Sequence, residues 1–250
     1  MIRKLQAFSS VTGAAFAVGV FVAALLAVVG EKTAFAQAQQ FGDHGQLVIT
    51  AENLFGFSVE RHGWDTAANT ENSETYNQFG LFYRSPISPT ARGPWVGAHY
   101  FVIPNLSIGA TLGFQTAGGS ETRTTMGGTT TITTDRNSQF AFIFLPKVGY
   151  ALMFNNTLGF WFRGGPGFAR NSSSNQNNDG GSASSRWFLS LDALFVVTPV
   201  QYFGFYAGPQ GNISFAGSDS VTTPNGVTTS VDASFRSFSL DAGIFGYFNL

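Results

Sequence analysis

No cysteine occurs among the 250 residues. A disulfide framework, thiolate metal ligands and a lipid-modified N-terminal cysteine are therefore excluded. Charge is scarce too: Asp, Glu, Lys and Arg make up 11% of the chain, with 13 basic residues against 14 acidic ones. That balance predicts no nucleic-acid partner. Histidine is confined to His44, His62 and His99, none at metal-ligand spacing, so no metal or other cofactor is expected. Beyond the N-terminal region no apolar run reaches the roughly 20 residues that a membrane-spanning helix needs. What is plentiful is phenylalanine, 27 residues, and glycine, 30 residues. Those biases suit strands and tight turns better than a helical domain.

The N-terminus has the anatomy of a secretory leader. Arg3 and Lys4 precede an apolar run over about 14–29, and Ala34-Phe35-Ala36 supplies small residues at the spacing a signal peptidase reads. Residues 1–36 are expected to be removed, with cleavage after Ala36 or, nearly as well, after Ala38. A retained anchor is the alternative, and the run is short for it. Residues 37–250 are then the mature chain.

The stretch 158–169, LGFWFRGGPGFA, sets Arg163 in apolar surroundings. Alternate positions resolve the paradox. Leu158, Phe160, Phe162 and Phe168 share one face of a strand, while Trp161, Arg163 and Ala169 share the other. The same split recurs: Phe140, Phe142, Phe144, Val148 and Tyr150 stand against Ala141, Lys147 and Gly149. Trp187, Leu189, Leu191 and Phe195 stand against Ser190 and Asp192; Phe238, Leu240, Ile244 and Phe248 stand against Ser239, Asp241 and Tyr247. Further strands are read at 106–115 and 203–215, with weaker ones at 46–59 and 94–103. Eight strands result. Their connections alternate between short ones (104–105, 154–157, the corner 199–201) and long polar ones (about 60–93, 117–137, 171–185 and 216–233). Short turns at one end and long loops at the other is the pattern of an outer-membrane barrel. The expected fold is an all-β, eight-stranded antiparallel up-and-down transmembrane β-barrel, with both termini in the periplasm.

A soluble barrel with its apolar face inward would alternate in the same way. Three features favour the inverse. The polar face is rich in small Gly, Ser, Thr and Ala, which fit a narrow interior. The apolar face carries Tyr150, Trp187, Phe203 and Phe248 near strand ends, where an aromatic girdle would lie. The leader exports the chain. With the Phe/Leu face on lipid, Glu52, His99, Lys147, Arg163, Asp192 and Asp241 point inward. A buried charge persists when it is paired, so Arg163 is expected to bond Asp192, and Lys147 to face Glu52 or Asp241. His99 is expected to hydrogen-bond in the interior. A polar plug is favoured over a pore constriction, because eight strands leave little more than room for their own side chains.

The chain resembles the small outer-membrane barrels of the OmpA/OmpX type over nearly all of its mature length. This resemblance rests on pattern, not on a specific motif. The last strand, LDAGIFGYFNL, is similar to their terminal assembly signal, with Phe248 and Leu250 in the key places; Leu250 replaces the usual Phe and Gly246 is one position off the favoured glycine. The resemblance implies location in the bacterial outer membrane, contact with its lipid and recognition by the outer-membrane assembly machinery. The segments around Pro224-Asn225-Gly226 and Met126-Gly127-Gly128 read as Thr-rich hairpins; a protruding sheet like that of the OmpX-like members, able to pair with a surface ligand, and plain solvated loop are equal alternatives. Residues Tyr76–Arg84 are expected as a further short strand or a cap. No catalytic residues are assigned, since the lipid-facing positions hold no His, Asp or Glu. A structural or surface-exposed, non-enzymatic role is expected, with a narrow solute channel or an adhesin as the alternatives.

Overall fold

The computed structural model describes residues 40–65, 71–81, 95–124, 131–175 and 180–250. The leader, both cleavage positions and the turn at 126–128 lie outside them. The strands are β1 Gln46–Asp65, β2 Glu71–Leu81, β3 Trp95–Ile103, β4 Leu106–Thr124, β5 Thr131–Met153, β6 Leu158–Asn175, β7 Gly180–Val200, β8 Phe203–Thr222 and β9 Thr228–Asn249. All neighbouring pairs are antiparallel, and β9 returns to β1 in a ladder from Gln46↔Asn249 to Trp64↔Ala233. Along one edge of β1, Leu47–Glu52 pair with β3 and Phe55–Asp65 pair with β2. These two segments stand end to end at one strand position, so the nine segments form the expected eight-stranded up-and-down barrel.

Where the segments meet, β1 has extra residues against β9 between Ala51 and Phe55, and Asn53 adopts φ 58°. A bulge absorbs the excess, and Asn is one of the few side chains that tolerate that conformation. At the short-turn end, Asn155 Oδ1 accepts from the backbone N–H groups of Thr157 and Leu158, both at 2.8 Å. This Asx-type bonding closes the 154–157 turn. The third short turn falls at Gln201-Tyr202, slightly beyond the expected corner at 199–201, because β7 keeps its ladder through Val200↔Phe203.

Among the described residues the segments expected as long loops are mostly strand, and the hairpins expected within 117–137 and 216–233 are the paired ends of β4–β5 and β8–β9. β1 continues to Asp65, β2 takes 71–81, β4 and β5 reach Thr124 and Thr131, and β6 and β7 reach Asn175 and Gly180. β8 and β9 are joined only through 223–227, where Gly226 (φ 77°) donates from its N–H to the carbonyl of Thr223 at 2.9 Å. The physical reason is that Ser- and Thr-rich chain pairs its backbone in water as readily as an apolar strand does in lipid. Strands of 18–23 residues extend about 60–75 Å, whereas a crossing takes about 9–11 residues. Half of the barrel wall therefore stands outside the membrane. Residues 76–81 of the expected strand or cap belong to β2, paired with β1.

The outer wall is apolar where the membrane would lie: Phe57, Leu112, Phe114, Phe144, Val148, Phe162, Leu189, Leu191, Phe238 and Leu240 are all exposed. An apolar belt of this extent belongs against lipid. Pro146 and Pro166 also lie on it, and the β5–β6 ladder is interrupted between Phe144↔Phe168 and Val148↔Gly164. Proline has no N–H to donate there.

Interior glycines make space for aromatic rings. A Cβ on Gly149 would stand 2.6 Å from Trp161 Nε1, across which the indole reaches Ser107 Oγ on β4 at 3.3 Å. Gly149→Val should lower stability by about 1–3 kcal/mol through overpacking, read as a lower urea midpoint of the protein folded in vesicles. The closed barrel should also run as a compact band that shifts on boiling; a band of unchanged mobility would contradict closure.

Candidate functional site

The interior is layered along the barrel axis. Nearest the short turns is an aromatic layer. The chain before β1 folds back under the barrel: the N–H of Gly45 donates to the carbonyl of Phe101 at 2.9 Å, the N–H of Asn105 to that of Gly42 at 2.7 Å, and the N–H of Leu250 to that of Gly45 at 3.1 Å. Gln46 pins the turn, its Nε2 donating to the carbonyl of Gln40 (2.8 Å) and its Oε1 accepting from the N–H of Gly42 (2.9 Å). These bonds hold Phe41 inside the barrel mouth, fully buried, with ring centroids 5.3 Å from Phe101 and Trp161, 4.9 Å from Phe245 and 5.7 Å from Tyr247. Edge-on aromatic packing of this kind is favourable beyond its area alone.

Above that layer sits a four-member ionic cluster. Asp192 Oδ2 accepts from Lys147 Nζ at 2.7 Å and from Arg163 Nε at 3.1 Å, with Arg163 Nη2 in ion-pair contact at 2.9 Å. Arg163 Nη1 donates to Glu52 Oε1, and Lys147 Nζ lies 3.5 Å from Glu52 Oε2. The remaining acceptors are used as well: Asp192 Oδ1 takes bonds from Gln210 Nε2 (3.0 Å) and Ser190 Oγ (3.3 Å), and Glu52 Oε1 takes one from Thr50 Oγ1 (3.0 Å). The Arg163 guanidinium also lies over the rings of Trp161 (4.7 Å) and Tyr206 (5.5 Å). Two cations face two anions with no net charge, which is how so many buried charges coexist. The pairing follows from strand position. Arg163 and Asp192 are Cα partners on β6 and β7, and Asp192 is the partner of Gln210 on β8.

Two expected members stand apart. Asp241 does not meet Lys147; its Oδ2 accepts from Ser239 Oγ at 2.9 Å, one step up the barrel. Lys147 is drawn instead to Asp192, which already anchors Arg163. His99 is buried, but neither ring nitrogen has a hydrogen-bond partner among the described residues. Its ring stands edge-on to Trp161 at 4.8 Å, packing where a hydrogen bond was expected. The interior is also less uniformly polar than the sequence suggested. A second apolar layer of Trp95, Ile143, Leu145, Phe188 and Phe235 lies beyond the cluster. Beyond that, Arg186 Nη2 donates to both carboxylate oxygens of Asp219 at 3.0 and 3.1 Å, and His62 Nε2 lies 2.5 Å from Glu60 Oε1.

Several of these residues are not marked by periodicity. Phe41 precedes the first alternating segment, so only the flanking Gly42 and Gly45 hinted at a folded turn. Glu60 and His62 fall in the expected loop 60–93, and Arg186 falls between the expected loop 171–185 and Trp187; continuing the alternation would have turned each inward. Tyr150 and Phe248 are exposed and Phe203 is partly exposed near the short-turn end, while Trp187 lies at the opposite edge of the apolar belt, its ring 4.9 Å from Phe168. Phe248 faces outward and Leu250 follows β9. Among the described residues no three His, Asp or Glu are grouped to hold a metal ion.

No protein family matches the sequence, and no curated protein matches it either. Solved structures do. The outer-membrane protein OprG of Pseudomonas aeruginosa is similar over 85% of this chain and 100% of its own, at 8% identity and a TM-score of 0.50. The attachment invasion locus protein Ail of Yersinia pestis matches over 81% and 99% at 12% identity and a TM-score of 0.38, and Neisserial surface protein A over 82% and 97% at 12% and 0.39. With its apolar outer belt, the chain has the architecture of a small bacterial outer-membrane β-barrel, and the outer membrane is where that belt belongs.

Arg163→Ala should destabilise the barrel by about 3–5 kcal/mol, because Glu52 and Asp192 lose their shared cation in a dry interior. The urea midpoint measures this, and an unchanged midpoint would contradict a stabilising role for the pairing.

Proposed function

We propose that the chain is a non-catalytic outer-membrane barrel, closed to solutes, that carries an extended sheet above the cell surface. The observation that supports this reading is the continuous interior filling, from the Phe41 ring through the Glu52–Lys147–Arg163–Asp192 cluster to Phe188 and Phe235. An eight-stranded wall encloses about the volume of its own side chains, and here the four charges of the cluster are paired and the buried rings pack on either side of it. In this reading Tyr150, Trp187, Phe203 and Phe248 settle the barrel at the lipid interfaces, and Phe248 and Leu250 present the last strand to the assembly machinery.

The lipid-facing positions of the apolar belt hold no His, Asp or Glu to act as a base, which speaks against chemistry on lipid. The upper β8–β9 hairpin supports a surface role: its Ser- and Thr-rich strands stay paired from Ser218↔Asp232 to Thr222↔Thr228, and its tip is exposed. Such a projecting sheet can receive a partner strand along an edge. Deleting 221–229, which keeps Asp219 on Arg186, should leave the barrel folded while abolishing any binding of a surface ligand.

Single-channel recording in planar bilayers is the decisive test. The natural chain should give no unitary steps, and Phe41→Ala combined with Arg163→Ala should raise the leak. Regular steps from the natural chain would replace the plug with the narrow channel.

A further inference from the structure

Arg61 on β1 and Arg236 on β9 are Cα partners across the seam that closes the barrel. Both continue the outward row of their strands, Arg61 above Phe57 and Val59, Arg236 above Phe238 and Leu240, and both are exposed. Side chains directly opposite in a ladder start about 4.5–5.5 Å apart, and like charges so placed repel. Among the described residues neither arginine has a carboxylate partner. Arg61 Nη2 donates to Ser73 Oγ at 3.3 Å, and Asp232, the acid on the same face of β9, makes no ion pair with either.

The pair lies beside a breach in the wall. Between Ile213↔Arg236 and Ser218↔Asp232 the β8–β9 register slips, four residues of β8 facing three of β9. Ser214 mends the ladder from its side chain, accepting from the N–H of Phe235 at 2.7 Å and donating to the carbonyl of Phe235 at 3.2 Å. What remains is a cleft of about 920 Å³ whose lining includes Arg61, Ser73, Asp232, Ser234 and Arg236. Such a volume suits a headgroup, not a bare ion. Ile213, the Cα partner of Arg236, is exposed on the neighbouring strand, and Phe238 and Leu240 are exposed directly below Arg236.

The height of the pair selects the occupant. From Arg236 down to Phe248 is about twelve residues, ~40 Å of strand and ~30 Å along the membrane normal at the usual tilt. The arginines thus stand at the headgroup level of the leaflet on the long-strand side, with the apolar belt directly beneath. In a two-membrane bacterium that leaflet is the outer one, and its lipid is a phosphorylated glycolipid. Two guanidinium forks side by side match the oxygens of a phosphate monoester.

We propose that Arg61 and Arg236 clamp a phosphate of an outer-leaflet glycolipid of the lipid A type, whose sugar occupies the β8–β9 cleft and whose acyl chains descend over Phe238 and Leu240. The clamp explains why a repelling pair stands at the closing seam: the bound anion converts the repulsion into a cross-strand bridge. This inference rests on the outer-membrane placement and is independent of whether the interior conducts.

The test uses the mature chain folded into zwitterionic vesicles containing either diphosphoryl lipid A or its dephosphorylated counterpart, with lipid carried through detergent purification measured by mass spectrometry. The natural chain should retain the diphosphoryl form at least about tenfold over the dephosphorylated one, a difference of ~1.4 kcal/mol. Arg61→Gln with Arg236→Gln should lose that preference while keeping the heat-shifted band, and its urea midpoint in vesicles lacking lipid A should be equal or higher, since the repulsion is gone. Equal retention of the two lipids by the natural chain overturns the proposal whether or not the double variant folds. So does a double variant that keeps the preference. If inorganic phosphate at millimolar concentration raises the natural chain's urea midpoint as much as lipid A does, the site takes a free anion and the lipid assignment fails.

Discussion

Every backbone N–H and C=O group within a bilayer must find a partner inside the protein, since the hydrocarbon offers none. For a chain of strands that requirement has one solution, closure of the sheet. Here it is met at the β1–β9 seam, which runs from Gln46↔Asn249 to Trp64↔Ala233. Everything else is arranged around it. The bulge at Asn53 lets β1 serve β9 on one edge while passing from β3 to β2 on the other. Where proline removes a donor, at Pro146 and Pro166, the wall still holds because β4 and β7 keep their ladders on either side.

Closure creates a narrow interior that must then be filled. The solution alternates apolar and ionic layers, each with its own logic. Rings such as Phe41, Trp161 and Phe245 need only shape complementarity. The Glu52–Lys147–Arg163–Asp192 cluster needs complete pairing, because one missing partner would strand a charge in a dry space. Shared acceptors ease that demand: Asp192 alone takes bonds from Lys147, Arg163, Gln210 and Ser190. A cluster contributed by β1, β5, β6 and β7 also ties strands that are not neighbours, so a slip of one strand by one residue would remove its charged side chain from the interior.

The outer face obeys the opposite rule. Large apolar side chains stand exposed on the belt and give way to Arg61, Arg170 and Arg236 at its upper edge. Above that edge the same strands continue with Ser and Thr, still paired. The same strands pass through two solvents, and side-chain chemistry marks the boundary between them.

Strand number, the orientation of each face and the inward set Glu52, Lys147, Arg163, Asp192 and Asp241 were legible in the sequence, because alternation at period two is a local property that survives without knowledge of neighbours. Strand length was not, since Ser- and Thr-rich segments alternate too weakly for a reader to tell paired chain from loop. Glu60 and His62 were missed for that reason, and Arg186 because it stands just before Trp187, the first outward residue of its segment. Partner choice was decided only by the closed barrel. Which cation meets which anion depends on register and stagger between strands far apart in the chain, which is why Lys147 reaches Asp192 and leaves Asp241 to Ser239. The burial of Phe41, the packing of His99 against Trp161 and the pairing of Arg61 with Arg236 have the same origin. Each is a contact between residues that no local pattern connects, set by how the sheet curls back to meet its own first strand.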